Sequence, residues 1–190
     1  VESDFDGMIP GLNANKFDGV ISSMTVTEAR EKAIDFSNEL FSGPTSLVFK
    51  KGANYSTPES LKGKSVGYEQ GTIQEAYAKA VLDKAGVTTK AYANQDQVYA
   101  DLTSGRLDAS VQDMLQAELG FLKSPAGADY EVSKAIDDPL LPSKTAVGIK
   151  KGNKDLKALL DKGIKALHDD GTYATIQKKH FGDLNLYSGK

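Results

Sequence analysis

The sequence predicts an α/β fold in two lobes, on three observations. Short apolar runs, such as TSLVFK at 45–50 and LDASV at 107–111, alternate with segments of helical period. Helix-start signals of the form S/T-x-x-E stand at Thr25/Glu28 and Thr72/Glu75, and Gly63, Gly86 and Gly105 close segments. Residues 46–144 form a complete βαβαβ-type unit by themselves, so residues 1–45 and 145–190 have to share another layer. The expected domains are therefore 1–45 plus 145–190 as one lobe and 46–144 as the other. The chain crosses between them near Ser42–Ser46 and near Ser143–Ala146.

The elements follow in order. Phe5, Met8, Ile9 and Leu12 fall at i, i+3, i+4, i+7, an amphipathic helix over 4–15 with Asp4 as its cap. Phe17 to Ile21 reads as a short buried strand. Thr25 and Glu28 open a brief helix that runs out near Ile34, and Ser42-Gly43-Pro44 is a breaker. Strand 45–50 follows, then a short capped helix at 56–63. Lys64–Tyr68 is a strand, 73–85 a helix, Val87–Ala91 a strand, Gln95–Ser104 a helix and Leu107–Val111 a buried strand. A helix over 114–123 precedes a loop-rich stretch, 124–143, with Pro125, Pro139 and Pro142. Lys144–Lys150 is a strand. Asn153 caps a long helix whose Leu156, Leu159, Leu160, Ile164 and Leu167 are expected to face the core. A last helix opens at Thr172 with Tyr173 and Ile176 inward.

Composition narrows the function. The chain has 190 residues, 23 Lys and Arg against 26 Asp and Glu, and a net charge of −3 with the signs interspersed. Without a long basic run, nucleic acid and anionic membrane are poor partners. No apolar run approaches transmembrane length. No leader segment is read, so the chain is either cytosolic or already processed. The absence of cysteine removes disulfides, thiolate catalysis and Cys-type zinc sites. His168 and His180, both on Lys-rich helical segments, are a thin basis for a Ser-His-Asp triad. No metal or cofactor is expected.

The stretch 21–37, ISSMTVTEAREKAIDFS, carries the functional signal. A strand delivers the hydroxyls of Ser22, Ser23 and Thr25 to a helix start, with Arg30 on the first turn. Backbone donors, a favourable dipole end and a guanidinium are what a small carboxylate needs. A strand-to-helix turn with a solvated arginine would look the same. The turn Glu69-Gln70-Gly71-Thr72 repeats the chemistry, and it too could be an ordinary β-to-α turn. Asp113 stands at the carboxyl end of a strand, where ligands bind in open α/β sheets; it could equally be a helix cap, and a carboxylate can do both. Arg30 from one lobe, with Thr72 and Asp113 from the other, suits a zwitterion in a cleft between lobes.

The segments SDFDGMIPGL, ISSMTVTEAREKAIDFS, LKGKSVGYEQGTIQEAY, AYANQDQVYADLTSGRLDASVQD and HDDGTYATIQKKHF together carry a family resemblance over the whole chain. The chain resembles the periplasmic polar amino-acid binding proteins of bacterial ABC importers, in particular the lysine/arginine/ornithine- and histidine-binding group, with the two-lobed type II periplasmic-binding-protein fold. The resemblance implies an α-carboxylate clamp of Arg30 with the backbone N–H groups of Thr25 and of Thr72 or Ile73. It implies Asp113 as the α-ammonium acceptor helped by Ser23, further polar contacts from Ser22 and Ser23, and Phe5 stacking on the ligand side chain, although the periodicity of Phe5 argues for the core. An inner-membrane ABC permease would be the partner and the periplasm the compartment.

Family members carry a strand, an aromatic-rich loop and a helix ahead of the position of Val1. The first lobe is therefore expected to be truncated, with an open sheet edge that costs stability unless it is rebuilt or paired, for instance in a domain-swapped homodimer. Two alternatives accompany the transport reading: a truncated relative that folds but binds amino acids weakly or not at all, and a cyclohexadienyl-dehydratase-like enzyme for which Glu69 would be the extra acid or base.

Overall fold

The computed structural model describes residues 1, 3–182 and 186–187. In chain order the strands are β1 (Gly19–Val20), β2 (Ile34–Ser42), β3 (Thr45–Lys50), β4 (Ser65–Glu69), β5 (Thr88–Tyr92), β6 (Ala109–Asp113), β7 (Tyr130–Val132) and β8 (Lys144–Lys150). The α-helices are α1 (Met8–Asn13), α2 (Glu28–Glu31), α3 (Ile73–Tyr77), α4 (Gln95–Thr103), α5 (Met114–Leu119), α6 (Lys154–Asp169) and α7 (Thr172–Phe181). The described residues divide into two units. The first is residue 1 and Gly7–Gly43 with residues 143–182 and 186–187; the second is residues 3–6 with Pro44–Pro142.

Among the described residues the first unit has a three-stranded sheet, β1-β8-β2, with antiparallel pairing on both sides of β8. Val147 and Ile149 of β8 are buried, as are Ile34 and Phe36 of β2. A methyl group on Gly148 would lie 3.2 Å from Ile34 and 3.3 Å from Met24, so the small residue lets the core close on the central strand. Helix α6 packs on β2, and Asp161 of α6 accepts the Asn38 N–H at 2.6 Å. At the chain crossing, Gly43 N–H donates to the Ser143 carbonyl at 2.7 Å and the two serine hydroxyls of Ser42 and Ser143 pair at 2.8 Å.

The second unit has a five-stranded sheet ordered β5-β4-β6-β3-β7. Only β4 with β5 and β6 run parallel; β3 enters antiparallel to both β6 and β7, so the βαβαβ reading holds for its middle alone. Five of the six residues of β3 are buried, as a strand covered on both faces requires. Its alternation splits two cores. Leu47 and Phe49 join Val66, Tyr68, Ile73, Tyr77 and Leu82 on one face, while Val48 joins Val98, Leu102, Ala117 and Phe121 on the other. Helix α3 winds on into a wider π turn, Ala78–Leu82.

Several expectations need correction. The strand read at 17–21 is only Gly19–Val20, and Ile21 is 74% exposed. Strand β2 was not expected: Ser37-Asn38-Glu39 hides it, because two register shifts after Phe36 break the alternation. The short edge strand β7 lies within the stretch read as loop. Helix 114–123 stops at Leu119 and resumes as a 3-10 turn, Phe121–Lys123. The 56–63 segment is a 3-10 turn, Pro58–Leu61, capped by Thr57. On α6, Ile164 is buried but Leu159 and Leu167 are 67% and 38% exposed, and Ile176 of α7 is 46% exposed. Residues 3–6, assigned with the first lobe by sequence, pack with the second unit. A Cβ on Gly71 would sit 2.8 Å from the Asp6 Cα, and Asn94 Nδ2 reaches the Asp4 carboxylate at 3.5 Å.

Candidate functional site

Each unit carries its own group of the residues singled out by sequence. In the first unit they lie between β1 and α2. Ser22 is half-buried, and Ser23 is exposed with φ at 47°, a left-handed turn just beyond the strand. Thr25 is buried and forms an isolated antiparallel bridge with Thr145. It does not cap the helix. Thr27 does, its hydroxyl accepting the Arg30 N–H at 3.2 Å. The capping-box spacing therefore picked a residue that is committed to the sheet. Thr25 still serves the site by another route: its carbonyl accepts Nη1 of Arg30 at 2.8 Å.

Arg30 is 9% exposed, and burial pulls its guanidinium down to about 10. It stays cationic at neutral pH, in surroundings that screen its charge far less than water does. The tie to Thr25 fixes one edge of the fork. A planar fork fixed in this way is suited to bidentate contact with a carboxylate.

In the second unit Thr72, Ile73 and Asp113 stand at the carboxyl ends of adjacent parallel strands, β4 and β6. The second helix start is as expected in its cap. Thr72 Oγ1 accepts the Glu75 N–H at 3.3 Å and donates to the Glu69 carbonyl at 2.7 Å. Glu75 reaches back one residue further than a capping box would, to the Gly71 N–H at 2.7 Å. Thr72 and Ile73 thus put first-turn N–H groups at this strand end.

Asp113 is both the last residue of β6 and the N-cap of α5. Its Oδ1 accepts the Gln116 N–H at 2.8 Å. Burial pushes its carboxyl up from the ordinary value, and the N–H groups of Gln116 and Leu115 pull it back. Phe5 is half-buried on a 3-10 turn, Phe5–Gly7, whose Asp6 backbone lies so near Gly71 that a side chain there would clash with it. Glu69 ends β4. Burial, and then the carboxylates of Asp4, Asp96 and Asp6, push its carboxyl up to about 7. One residue that the sequence did not flag ties this group together: Gln74, whose amide donates to Thr45 at 2.7 Å.

Among the described residues no group of three or more His, Cys, Asp or Glu could hold a metal ion, and no helix is long and apolar enough to cross a membrane.

Residues 1–183 match the model of the bacterial extracellular solute-binding proteins, family 3. The chain belongs to that family. This solute-binding protein is 45% identical over 190 residues to the lysine/arginine/ornithine-binding periplasmic protein of Escherichia coli K12, covering 98% of this chain and 73% of that protein. It is 39% identical over 192 residues to the histidine-binding periplasmic protein of the same strain, covering 100% and 74%. Among solved structures, an ancestral arginine-binding protein bound to arginine superposes with a TM-score of 0.86 at 36% identity, covering 96% of this chain and 79% of that one. The two-lobed periplasmic-binding-protein fold expected from sequence is the fold of these relatives. The family and these relatives are binding proteins rather than enzymes, so the comparisons do not favour the dehydratase-like alternative.

Proposed function

We propose that this solute-binding protein works in the periplasm, binds a polar amino acid with a cationic side chain, and delivers it to an ABC permease in the inner membrane. Arg30, with the N–H groups of Thr25 and of Thr72 or Ile73, takes the α-carboxylate. Asp113 takes the α-ammonium with help from Ser23. Ser22 adds a polar contact, and Phe5 lies along the ligand side chain, where stacking on a cation contributes about 0.5–2 kcal/mol. The observation that carries the reading is a pair of preset, opposite charges, Arg30 held by the Thr25 carbonyl and Asp113 at a strand's carboxyl end. They occur in a chain 45% identical to a lysine/arginine/ornithine-binding protein. The name of that relative supports a basic amino acid as the ligand class.

A thermal-shift panel of arginine, lysine, ornithine, histidine and glutamine tests the assignment. A ligand present at a hundred times its Kd stabilises by about 2.7 kcal/mol, a shift of several degrees. A rise for the basic amino acids above that for glutamine is expected; equal shifts for all five would remove the cationic side chain from the proposal.

We also propose that the first unit's sheet recruits a second copy of the chain. Among the described residues β1 pairs only with β8, and Ile21 beside it is 74% exposed. A dimer mass by light scattering is expected, and a strictly monomeric mass would end that proposal.

A further inference from the structure

We infer that Gln74 is a positioning residue for amino-acid recognition. Its side chain locks the start of α3 to the ladder rung that sets Asp113. The inference rests on the reading of Thr72, Ile73 and Asp113 as ligand contacts and deepens it.

Gln74 is the second residue of α3 and is 8% exposed. Its Nε2 donates at 2.7 Å to Oγ1 of Thr45, which is 1% exposed. Thr45 is the first residue of β3 and stands directly opposite Asp113 in the antiparallel β3/β6 ladder. One side-chain bond therefore joins the helix start that presents Thr72 and Ile73 to the rung that carries the carboxylate. A second tie reaches the neighbouring residue: the Met114 N–H, first in α5, donates to the Pro44 carbonyl at 2.8 Å. Both helix starts thus converge on residues 44–45, at the boundary where the chain enters the second unit.

A glutamine is a costly choice for this place if filling the core were its whole task. A buried amide loses its hydration and regains it only through bonds of good geometry, whereas leucine fills similar space without that cost. What the amide adds is a fixed spacing. An amino acid held by its carboxylate at one element and by its ammonium at another is sensitive to their separation, and recognition groups have to be held to about 0.5 Å. A des-amino analogue, which keeps the carboxylate and the side chain, does not feel that separation.

The test uses the full chain with Gln74→Leu, Thr45→Val, the double variant and Thr45→Ser. The ligands are arginine with δ-guanidinovaleric acid and lysine with ε-aminocaproic acid, titrated calorimetrically alongside thermal unfolding. In the double variant both polar partners are gone, so no buried orphan remains and the unfolding midpoint stays near the parent's. The preference for the amino acid over its des-amino analogue is expected to fall about tenfold, equivalent to about 1.4 kcal/mol. Thr45→Ser, which keeps the hydroxyl, is expected to retain the parent preference. An unchanged preference in the folded double variant would overturn the inference and leave Gln74 as a core residue. Should that variant fail to fold, the preference in the nearly isosteric Thr45→Val decides by the same criterion. A parent chain that binds neither member of either pair would instead overturn the amino-acid reading beneath it.

Discussion

Replacing Arg30 by methionine separates what the guanidinium does for binding from what it does for folding. Methionine keeps an unbranched stem in a site that is 9% exposed, and it removes the charge and the fork. On the binding side, truncating one partner of a desolvated charge pair costs about 2–5 kcal/mol, which is about 30-fold to several thousand-fold in Kd. On the folding side desolvation and hydrogen bonding oppose each other. Burial pulls the guanidinium from 12.5 down to about 10, so removing the charge relieves about 3 kcal/mol of desolvation. The Thr25 carbonyl, bonded at 2.8 Å, loses its donor, which costs about 1–3 kcal/mol. The expected net change in stability is within about 2 kcal/mol. The assay is urea unfolding of the free protein beside calorimetric titration with the best-bound basic amino acid. Near-parental stability with binding reduced at least 30-fold is expected. A variant that binds like the parent would refute the clamp, and one that unfolds before it can be titrated would refute the folding half of the argument.

Three further outcomes are expected. Asp113→Asn should weaken amino acids far more than keto acids of the same shape, because it removes the charge opposite an ammonium but keeps an acceptor for the Gln116 N–H; equal loss for both would remove the ammonium role. Gly71→Ala should destabilise by at least about 2 kcal/mol in chemical unfolding, since φ there is +74° and the new methyl group would sit 2.8 Å from the Asp6 Cα. Glu69→Gln should flatten the pH dependence of stability. The carboxyl is raised from 4.5 to about 7 in the fold, so its contribution is complete below about pH 4.5 and is lost as pH rises through about 7. Thermal midpoints of parent and variant that run parallel across that window would contradict it.

Strands buried on both faces were the most legible part of the sequence. TSLVFK reads as a nearly continuous hydrophobic segment because a sheet covered on both sides leaves no polar face to alternate with. Strand β2 is hidden for the opposite reason, since polar Ser37, Asn38 and Glu39 follow one another where its pairing register shifts. The period of α6 placed Leu159 and Leu167 inward, but the described structure leaves them exposed, because periodicity reports a stripe and not what lies against it.

Among the candidate residues, the capping places of Asp113, after an apolar run, and of Thr72, three residues before Glu75, were readable from the sequence. Thr25 was misread as a cap because Glu28 completed the pattern for it. The hydroxyl that does the work, Thr27, has Arg30 three residues on and matches no box. The Gln74–Thr45 bond left no trace in the sequence, because its partners are 29 residues apart and neither belongs to a motif.

Calorimetric titration of the folded, ligand-stripped chain with arginine, lysine, ornithine, histidine and glutamine tests the binding of a basic amino acid directly. Micromolar or tighter binding of at least one basic amino acid is expected, with glutamine weaker. No heat from any of the five, in a protein shown to be folded, would contradict it. The chain would then keep Arg30 and Asp113 in place without taking up the ligand they are proposed to hold.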